Sequence, residues 1–574
     1  MRTYHLHITG QVQGVGFRPF VYQTALAMGL KGWVNNGLDG VHVEFEAEAE
    51  IADQFVDRLL SHPPARARIA AYHLQEVEAG GYETFEIRES KDSGSANLLL
   101  SPDFAICETC RQELHDPTNH RYQYPFITCT QCGPRYSILT ALPYDRERTS
   151  MASFEMCTSC AEEYADPFNR RHFSQTNSCP DCAIELSAFQ QDQLTKVSSI
   201  PQLLRQIQIA LAAGEILAVK GIGGFLLMCD ATRSAPIQLL RARKHRPSKP
   251  LAVMYPDLEQ LQADVELDPA SQELLTGPIA PIVLLPVREV PMSGIQVEDL
   301  APGLDQIGAV LPYAPLLELI CQAWGKPLVA TSGNLSGHPI AFTNEEGLAL
   351  QAIADLILIH NREIQLPQDD SVFRALPEGQ PPILLRRSRG LAPTLVLPGW
   401  TPPTQAILAM GAQMKSSFAI NHGVNTYLSQ YLGTLDEYDT QLHYELSLRY
   451  WLELLTFKPE QVFFLQRVED PLDDSAESID DIVEEVIRES VALERQERRA
   501  KGLPANRRYT FRHCLPADAT HLKLTGVCGA IAPIDECEYL KQVEWTPDAI
   551  QEAINYANAL GAKGNQLIGC WRWE

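Results

Sequence analysis

Eight cysteines fall between positions 107 and 182, all in C-x-x-C pairs: Cys107/Cys110, Cys129/Cys132, Cys157/Cys160 and Cys179/Cys182. No other feature limits the fold as strongly. Thiolates at this spacing are tetrahedral zinc ligands, and eight of them make two four-cysteine sites with no open position for catalysis. The sequence around them repeats after 50 residues. Cys107-Glu-Thr-Cys110-Arg-Gln-Glu113 with Asp116-Pro117-Thr-Asn119-His-Arg121 matches Cys157-Thr-Ser-Cys160-Ala-Glu-Glu163 with Asp166-Pro167-Phe-Asn169-Arg-Arg171. The spacing leaves open whether neighbouring or interleaved pairs share an ion. Residues 92–190 are poor in long apolar periods, so two structural Zn2+ ions must replace missing hydrophobic burial.

Fourteen cysteines in a chain of 574 residues do not make a disulfide scaffold, and at about 100–200 residues per domain the length implies three to five domains. A net charge of −25 speaks against a general nucleic-acid binder. Residues 105–185 carry 7 basic and 11 acidic groups, so zinc knuckles that grip a phosphate backbone are not expected either. No apolar run approaches the ~18 residues of a membrane span. The first ten residues alternate polar and apolar in place of a basic-then-apolar leader. A cytoplasmic protein without a membrane partner is expected.

Residues 1–91 read as a small α/β unit. Tyr4, Leu6 and Ile8 alternate with polar residues in a half-buried strand. Pro19 opens a helix through Leu30, Trp33–Asn36 and Val41–Phe45 form a hairpin, and a helix over 50–61 precedes strands near 70–77 and 83–88. That order is the split βαβ sandwich. Between strand and helix stands Gly10-Gln-Val-Gln-Gly14-Val-Gly16-Phe-Arg18, whose glycines let backbone amides turn onto an anion at a helix N-terminus. An Arg at that positive end is unfavourable unless an anion sits there too. With Gly32-Trp-Val-Asn-Asn36, the stretch resembles the acylphosphatases over nearly all of 1–91. The resemblance implies that Arg18 grips the phosphate of an acyl phosphate and that Asn36 orients the attacking water.

From Ile200 onward helices and short apolar strands alternate: helices at Leu203–Ala213 and Ala235–Arg243, strands at Ile216–Val219, Ile282–Leu285, Leu328–Ala330 and Leu356–Ile359. This α/β domain, 197–390, ends at a Pro-rich linker, Leu391–Pro403. Six of nine residues from Arg241 to Lys249 are basic, counting His245. Thr331-Ser332-Gly333-Asn334 follows a buried strand, where open α/β sheets bind ligands, and Arg386 marks another cationic strand end. Lys244-x-Arg246, Ser332-x-Asn334 and Leu385-Arg386 together resemble the YrdC family, which makes carbamoyl-adenylates. The resemblance implies that Lys244, Arg246, Ser332, Asn334 and Arg386, with Lys220 in Val219-Lys-Gly-Ile-Gly-Gly224, contact nucleotide and carbamate.

Strands are expected at Ala406–Ala409 and Ser417–Ile420 and a helix at Gln441–Leu455, and residues 404–465, with Met410-Gly-Ala-Gln-Met-Lys-Ser-Ser-Phe418 and Tyr427-Leu-Ser-Gln-Tyr-Leu-Gly-Thr-Leu435, resemble the start of a TsaD-like domain of the actin/hexokinase class. The fold class expected is therefore multidomain α/β and α+β: a ferredoxin-like acylphosphatase domain, a double four-cysteine zinc module, a YrdC-like domain and a partial TsaD-like segment. This order resembles the HypF-type carbamoyltransferases of [NiFe]-hydrogenase maturation. Such a protein hydrolyses carbamoyl phosphate, converts the carbamate to carbamoyl-AMP with ATP and Mg2+, and passes the carbamoyl group to a cysteine thiolate of a HypE-type partner. The family's H-H-H-A-H motif does not occur after residue 404, so the TsaD-like domain is expected to be cut short and the final transfer lost or dependent on another polypeptide. Residues 466–574 are an unassigned tail with an amphipathic helix over 478–502, and its cysteines Cys514, Cys528, Cys537 and Cys570 are expected as buried or free thiols. Two other readings are a YrdC-type tRNA threonylcarbamoylation factor and a non-catalytic zinc scaffold.

Overall fold

Alternation along Arg2–Gln11 buries Leu6 and Ile8 on one side and leaves His5 and His7 on the other. The same pattern in Gly40–Ala47 buries Val41, Val43 and Phe45. These strands pair antiparallel in a five-stranded sheet ordered Arg68–Val77, Arg2–Gln11, Gly40–Ala47, Lys31–Gly37 and Phe85–Ile87, the last joining its neighbour in parallel. Helices Phe17–Ala27 and Ala49–Ser61 add Val21, Ala25, Phe55 and Leu59 to the buried face. The first helix is displaced from its expected span. It begins two residues before Pro19, because Gly16 takes a left-handed conformation (φ +77°) that turns the chain into it. It ends before Gly29, which is also left-handed (φ +67°).

The computed structural model describes residues 1–91, 96, 98–182, 184–376, 380–395, 402–464, 509–512 and 569–573. The chain divides into two units, Met1–Thr394 and Leu395–Glu574. Within the first, the described residues of the Cys-rich segment form two short α-helices, Glu108–His115 and Thr158–Ala165, each starting just after the first cysteine of a pair.

The third layer of that unit is an eleven-stranded mixed sheet. At its centre, Ala252–Met254, Leu328–Ser332, Phe225–Asp230, Leu217–Lys220 and Leu356–His360 are adjacent in that order. Helix Ile200–Ala213 is capped by the Ser199 side chain, which accepts from the Gln202 amide, and closes on left-handed Gly214 (φ +84°). The fully buried strand Phe225–Asp230 has no polar alternation to mark it in sequence. The hairpin of Leu186–Gln190 and Gln193–Lys196 crosses the expected module border at 190 and pairs antiparallel with Leu356–His360, at the end of the large sheet. The start of the expected linker is packed: Ala392 is fully buried and Thr394 Oγ1 donates to the Leu100 carbonyl at 2.8 Å.

The second unit opens as an antiparallel meander, Ile407–Ala409, Ala419–His422 and Asn425–Leu428. Helix Tyr438–Leu454 follows, and Gln461–Phe464 returns parallel to the first strand. Phe418, Tyr427, Tyr444 and Trp451 are buried together, and Tyr444 Oη donates to the Met410 carbonyl at 2.6 Å. Strands Tyr509–Arg512 and Gly569–Trp573 extend this sheet. The amphipathic helix expected over 478–502, and Cys514, Cys528 and Cys537, lie outside the described residues; of Cys570 only the backbone is described.

Candidate functional site

The glycine-rich loop after the first strand places Arg18 in the opening turn of its helix. Gly14 and Gly16 both have positive φ (+71° and +77°), which bends the loop around a cavity that Arg18 and Asn36 share. Both polar atoms of the Asn36 side chain are buried without a hydrogen-bond partner. Leaving them so costs about 1–3 kcal/mol, which an oriented ligand or water recovers. Arg18 is buried as well. Its Nη2 donates to Asp145 Oδ1 at 2.7 Å and its Nη1 to Ser90 Oγ at 3.3 Å. Asp145, which the sequence did not single out, comes from the Cys-rich segment. Phe173, Ser174, Gln175, Thr130 and Tyr144 from that segment line the cavity. Arg135 fixes the loop to it, donating from Nε to the Gly14 carbonyl at 2.6 Å and from Nη2 to the Cys129 carbonyl at 3.0 Å.

The cysteines gather as neighbouring pairs: Cys107, Cys110, Cys129 and Cys132 in one cluster, Cys157, Cys160, Cys179 and Cys182 in the other. Sulfur–sulfur distances of 3.5–3.8 Å in the first and 3.5–3.9 Å in the second match a tetrahedron with Zn–S of about 2.3 Å, whose edge is about 3.8 Å. Both clusters fit zinc, and the pairing that spacing left open is the neighbouring one.

Each repeat completes the other. Arg121 of the first donates from Nε to the Ser178 carbonyl at 2.9 Å and pairs with Glu163 of the second. Arg171 of the second donates from Nε to the Thr128 carbonyl at 3.0 Å and pairs with Glu113 of the first. Cations also reach the thiolates: Arg170 Nη2 lies 3.2 Å from Cys110 Sγ, and Arg121 Nη2 lies 3.5 Å from Cys160 Sγ. Burial works against the Arg170 cation, but the thiolates of Cys129 and Cys110 outweigh it and its pKa rises. Four thiolates around one Zn2+ leave two negative charges to offset.

In the large sheet, Lys244 caps helix Ser234–Arg243 and is almost wholly buried. Its Nζ donates to the carbonyls of Ser332 (2.7 Å) and Asn334 (2.5 Å) and to Asn334 Oδ1 (2.6 Å). Ser332 Oγ donates to the same Asn334 oxygen at 2.8 Å. Burial, with Arg246 beside it, pushes the Lys244 pKa down to about 7. Arg246 reaches Thr331 Oγ1 at 3.3 Å, and burial lowers its pKa to about 10. Arg386 forks onto Asp369 at 2.5 and 3.2 Å. The Asp369 charge also favours the Lys244 and Arg246 cations against their burial. Asp369 is a second carboxylate that the sequence did not single out.

Lys220 stands apart from this group. Its Nζ donates to Asn344 Oδ1 at 2.7 Å, and it lines a separate cavity with His360, Arg362 and, from the Cys-rich segment, Pro125, Phe126, Thr128, Gly133 and Pro134. Burial lowers it to about 8, with Arg362 adding to the effect. Arg362 Nε and His360 Nδ1 there are buried and unpartnered.

A glycine-rich loop at Arg18 and Asn36, a paired four-cysteine repeat that fits zinc and a buried cation cluster at Lys244, all in one unit, define a multidomain enzyme class. Family models agree: Acylphosphatase over residues 4–87, HypF finger over 106–139 and 156–188, Telomere recombination over 209–388, and HypF Kae1-like domain over 402–465. Carbamoyltransferase HypF of Synechocystis sp. is 44% identical over 464 residues, covering 80% of this chain and 59% of that protein. Carbamoyltransferase HypF of Rhizobium leguminosarum bv. viciae is 41% identical, covering 80% and 58%. A crystal structure of full-length HypF in the phosphate- and nucleotide-bound form matches with a TM-score of 0.75 at 38% identity, covering 80% of this chain and 59% of that one. The chain belongs to the HypF carbamoyltransferase family. It spans about three fifths of the length of the curated relatives it matches.

Proposed function

We propose that this chain hydrolyses carbamoyl phosphate at Arg18 and Asn36 and turns the carbamate into carbamoyl-AMP at the Lys244 cluster. Water attacks the acyl phosphate, giving carbamate and inorganic phosphate; carbamate then displaces pyrophosphate from ATP, bound with Mg2+. The observation that carries the first step is the unpartnered Asn36 carboxamide in the cavity that holds Arg18. Arg18 meets the phosphate charge and the amides of the loop add to it. For the second step, Lys244 and Arg246 stand where phosphate charge would offset the burial that now lowers both pKa values. Ser332, Asn334 and Arg386 contribute polar contacts, and Lys220 faces the neighbouring cavity as a carbamate contact. The acceptor is a cysteine thiolate of a HypE-type maturation protein, and the setting is the cytoplasm; among the described residues no helix is long and apolar enough to cross a membrane.

The test supplies the purified chain with carbamoyl phosphate, ATP and the partner, and reads phosphate, pyrophosphate and partner mass. Arg18→Ala should lower phosphate release about 10²–10³-fold, the usual cost of one lost oxyanion donor, and pyrophosphate release with it. Lys244→Ala should stop pyrophosphate release and leave phosphate release intact. Pyrophosphate release that survives Arg18→Ala, or phosphate release unchanged by it, overturns the assignment. A mass increase on the partner's cysteine tests the acceptor separately.

A further inference from the structure

The sheet face opposite the buried core of the first ninety residues carries a histidine row that neither step uses. In the strand register His73, His7 and His42 lie side by side across three strands, and His5 stands two residues before His7. The hairpin turn between Lys31–Gly37 and Gly40–Ala47 brings Asp39 over this row. His42 Nε2 is 2.8 Å from Asp39 Oδ1, and His7 Nε2 is 3.4 Å from Asp39 Oδ2. The rings of His7 and His42 stack at 4.4 Å with 4° between their planes. One ligand atom from each of the three residues lies within 4.8 Å of the others, and their side chains are 21–46% exposed.

The outer nitrogen of His42 is also held. His42 Nδ1 shares a hydrogen bond with His5 Nε2 at 3.2 Å, and the two rings stack at 5.3 Å. This is the support that ligating imidazoles ordinarily have: one nitrogen toward the ion, the other tied to a polar partner that fixes tautomer and ring angle. No proton need leave His42 when a cation takes Nε2, because the proton it carries moves to Nδ1, where His5 accepts it.

We propose that His7, His42 and Asp39 form an exchangeable site for a borderline divalent cation of the zinc, nickel and copper class, with His5 as a positioning residue. Two imidazoles and one carboxylate suit that class, and three protein ligands leave room for water, so binding is weaker than at the four-cysteine clusters. The experiment is equilibrium dialysis of the full chain against Zn2+ with both four-cysteine sites already filled. A third equivalent should bind the unsubstituted chain. His42→Gln and Asp39→Asn should each weaken it at least tenfold, and His5→Phe by about tenfold, the usual cost of a lost supporting partner. His62→Gln, outside the cluster, should leave it unchanged. Binding that stops at two equivalents in the unsubstituted chain overturns the proposal. So does a third equivalent that survives both His42→Gln and Asp39→Asn, whatever the folding of any one variant.

Discussion

At the residue scale, Lys244 gives a prediction whose sign is fixed. Its pKa lies near 7, below the ordinary lysine value of 10.5. Between those two values the unfolded chain binds more protons than the folded one, so Lys244's contribution makes stability rise with pH through that window. Its burial weighs fully against the ligand-free fold below about pH 7. ATP phosphates beside the amine would pull its pKa up again. Calorimetric titration of ATP at pH 8 in buffers of different ionisation enthalpy should therefore show proton uptake, up to one per nucleotide. Lys244→Met should remove that uptake. The residues legible in sequence were those whose chemistry is local: a C-x-x-C pair, or an arginine after a glycine turn. Asp145 and Asp369 were not legible, because their meaning comes from partners brought in by the fold. Asp145 is separated from Arg18 by 127 positions. Lys220 was named in sequence only through the YrdC resemblance, and which cavity it lines is decided by its packing against the Cys-rich segment.

Among the elements, the two zinc repeats predict shared failure. Arg121 and Arg171 are both buried, and each bridges to a glutamate of the other repeat. Removing one partner of such a pair costs about 3–5 kcal/mol, because the other charge stays buried. Arg121→Ala should lower the melting temperature and release zinc to a chelator from both clusters, not from the second alone. Arg121→Lys should rescue little, since lysine lacks the planar fork that spans two carboxylate oxygens and a carbonyl. Loss of zinc from the second cluster only would show that the repeats are independent. The 50-residue repeat was plain in sequence, but its crossed pairing was not. Identical motifs give no sign of whether each arginine serves its own copy or its neighbour. Strands obeyed the same limit: the alternating Arg2–Gln11 was readable, whereas the uniformly buried Phe225–Asp230 carried no period to read.

For the whole molecule, the zinc segment contributes to the first cavity directly through Thr130 and Tyr144, through Asp145 on Arg18 and through Arg135 on the loop. Stripping zinc with a chelator should therefore abolish phosphate release from carbamoyl phosphate while the covalent chain stays whole, and re-addition of Zn2+ should restore it. Release unaffected by zinc loss would show that the first ninety residues act alone. The domain order was legible because each part carries its own motif, but the border at 190 was not, since a hairpin of ordinary strand residues does not announce which sheet it joins. That hairpin sets an order in time. The strand Leu186–Gln190 pairs with Leu356–His360, which is made some 170 residues later. At about 5–20 residues per second, a ribosome takes on the order of ten to thirty seconds to supply that partner. During that interval the hairpin has emerged without its place in the sheet, so the nascent chain presents a bare strand edge until translation catches up.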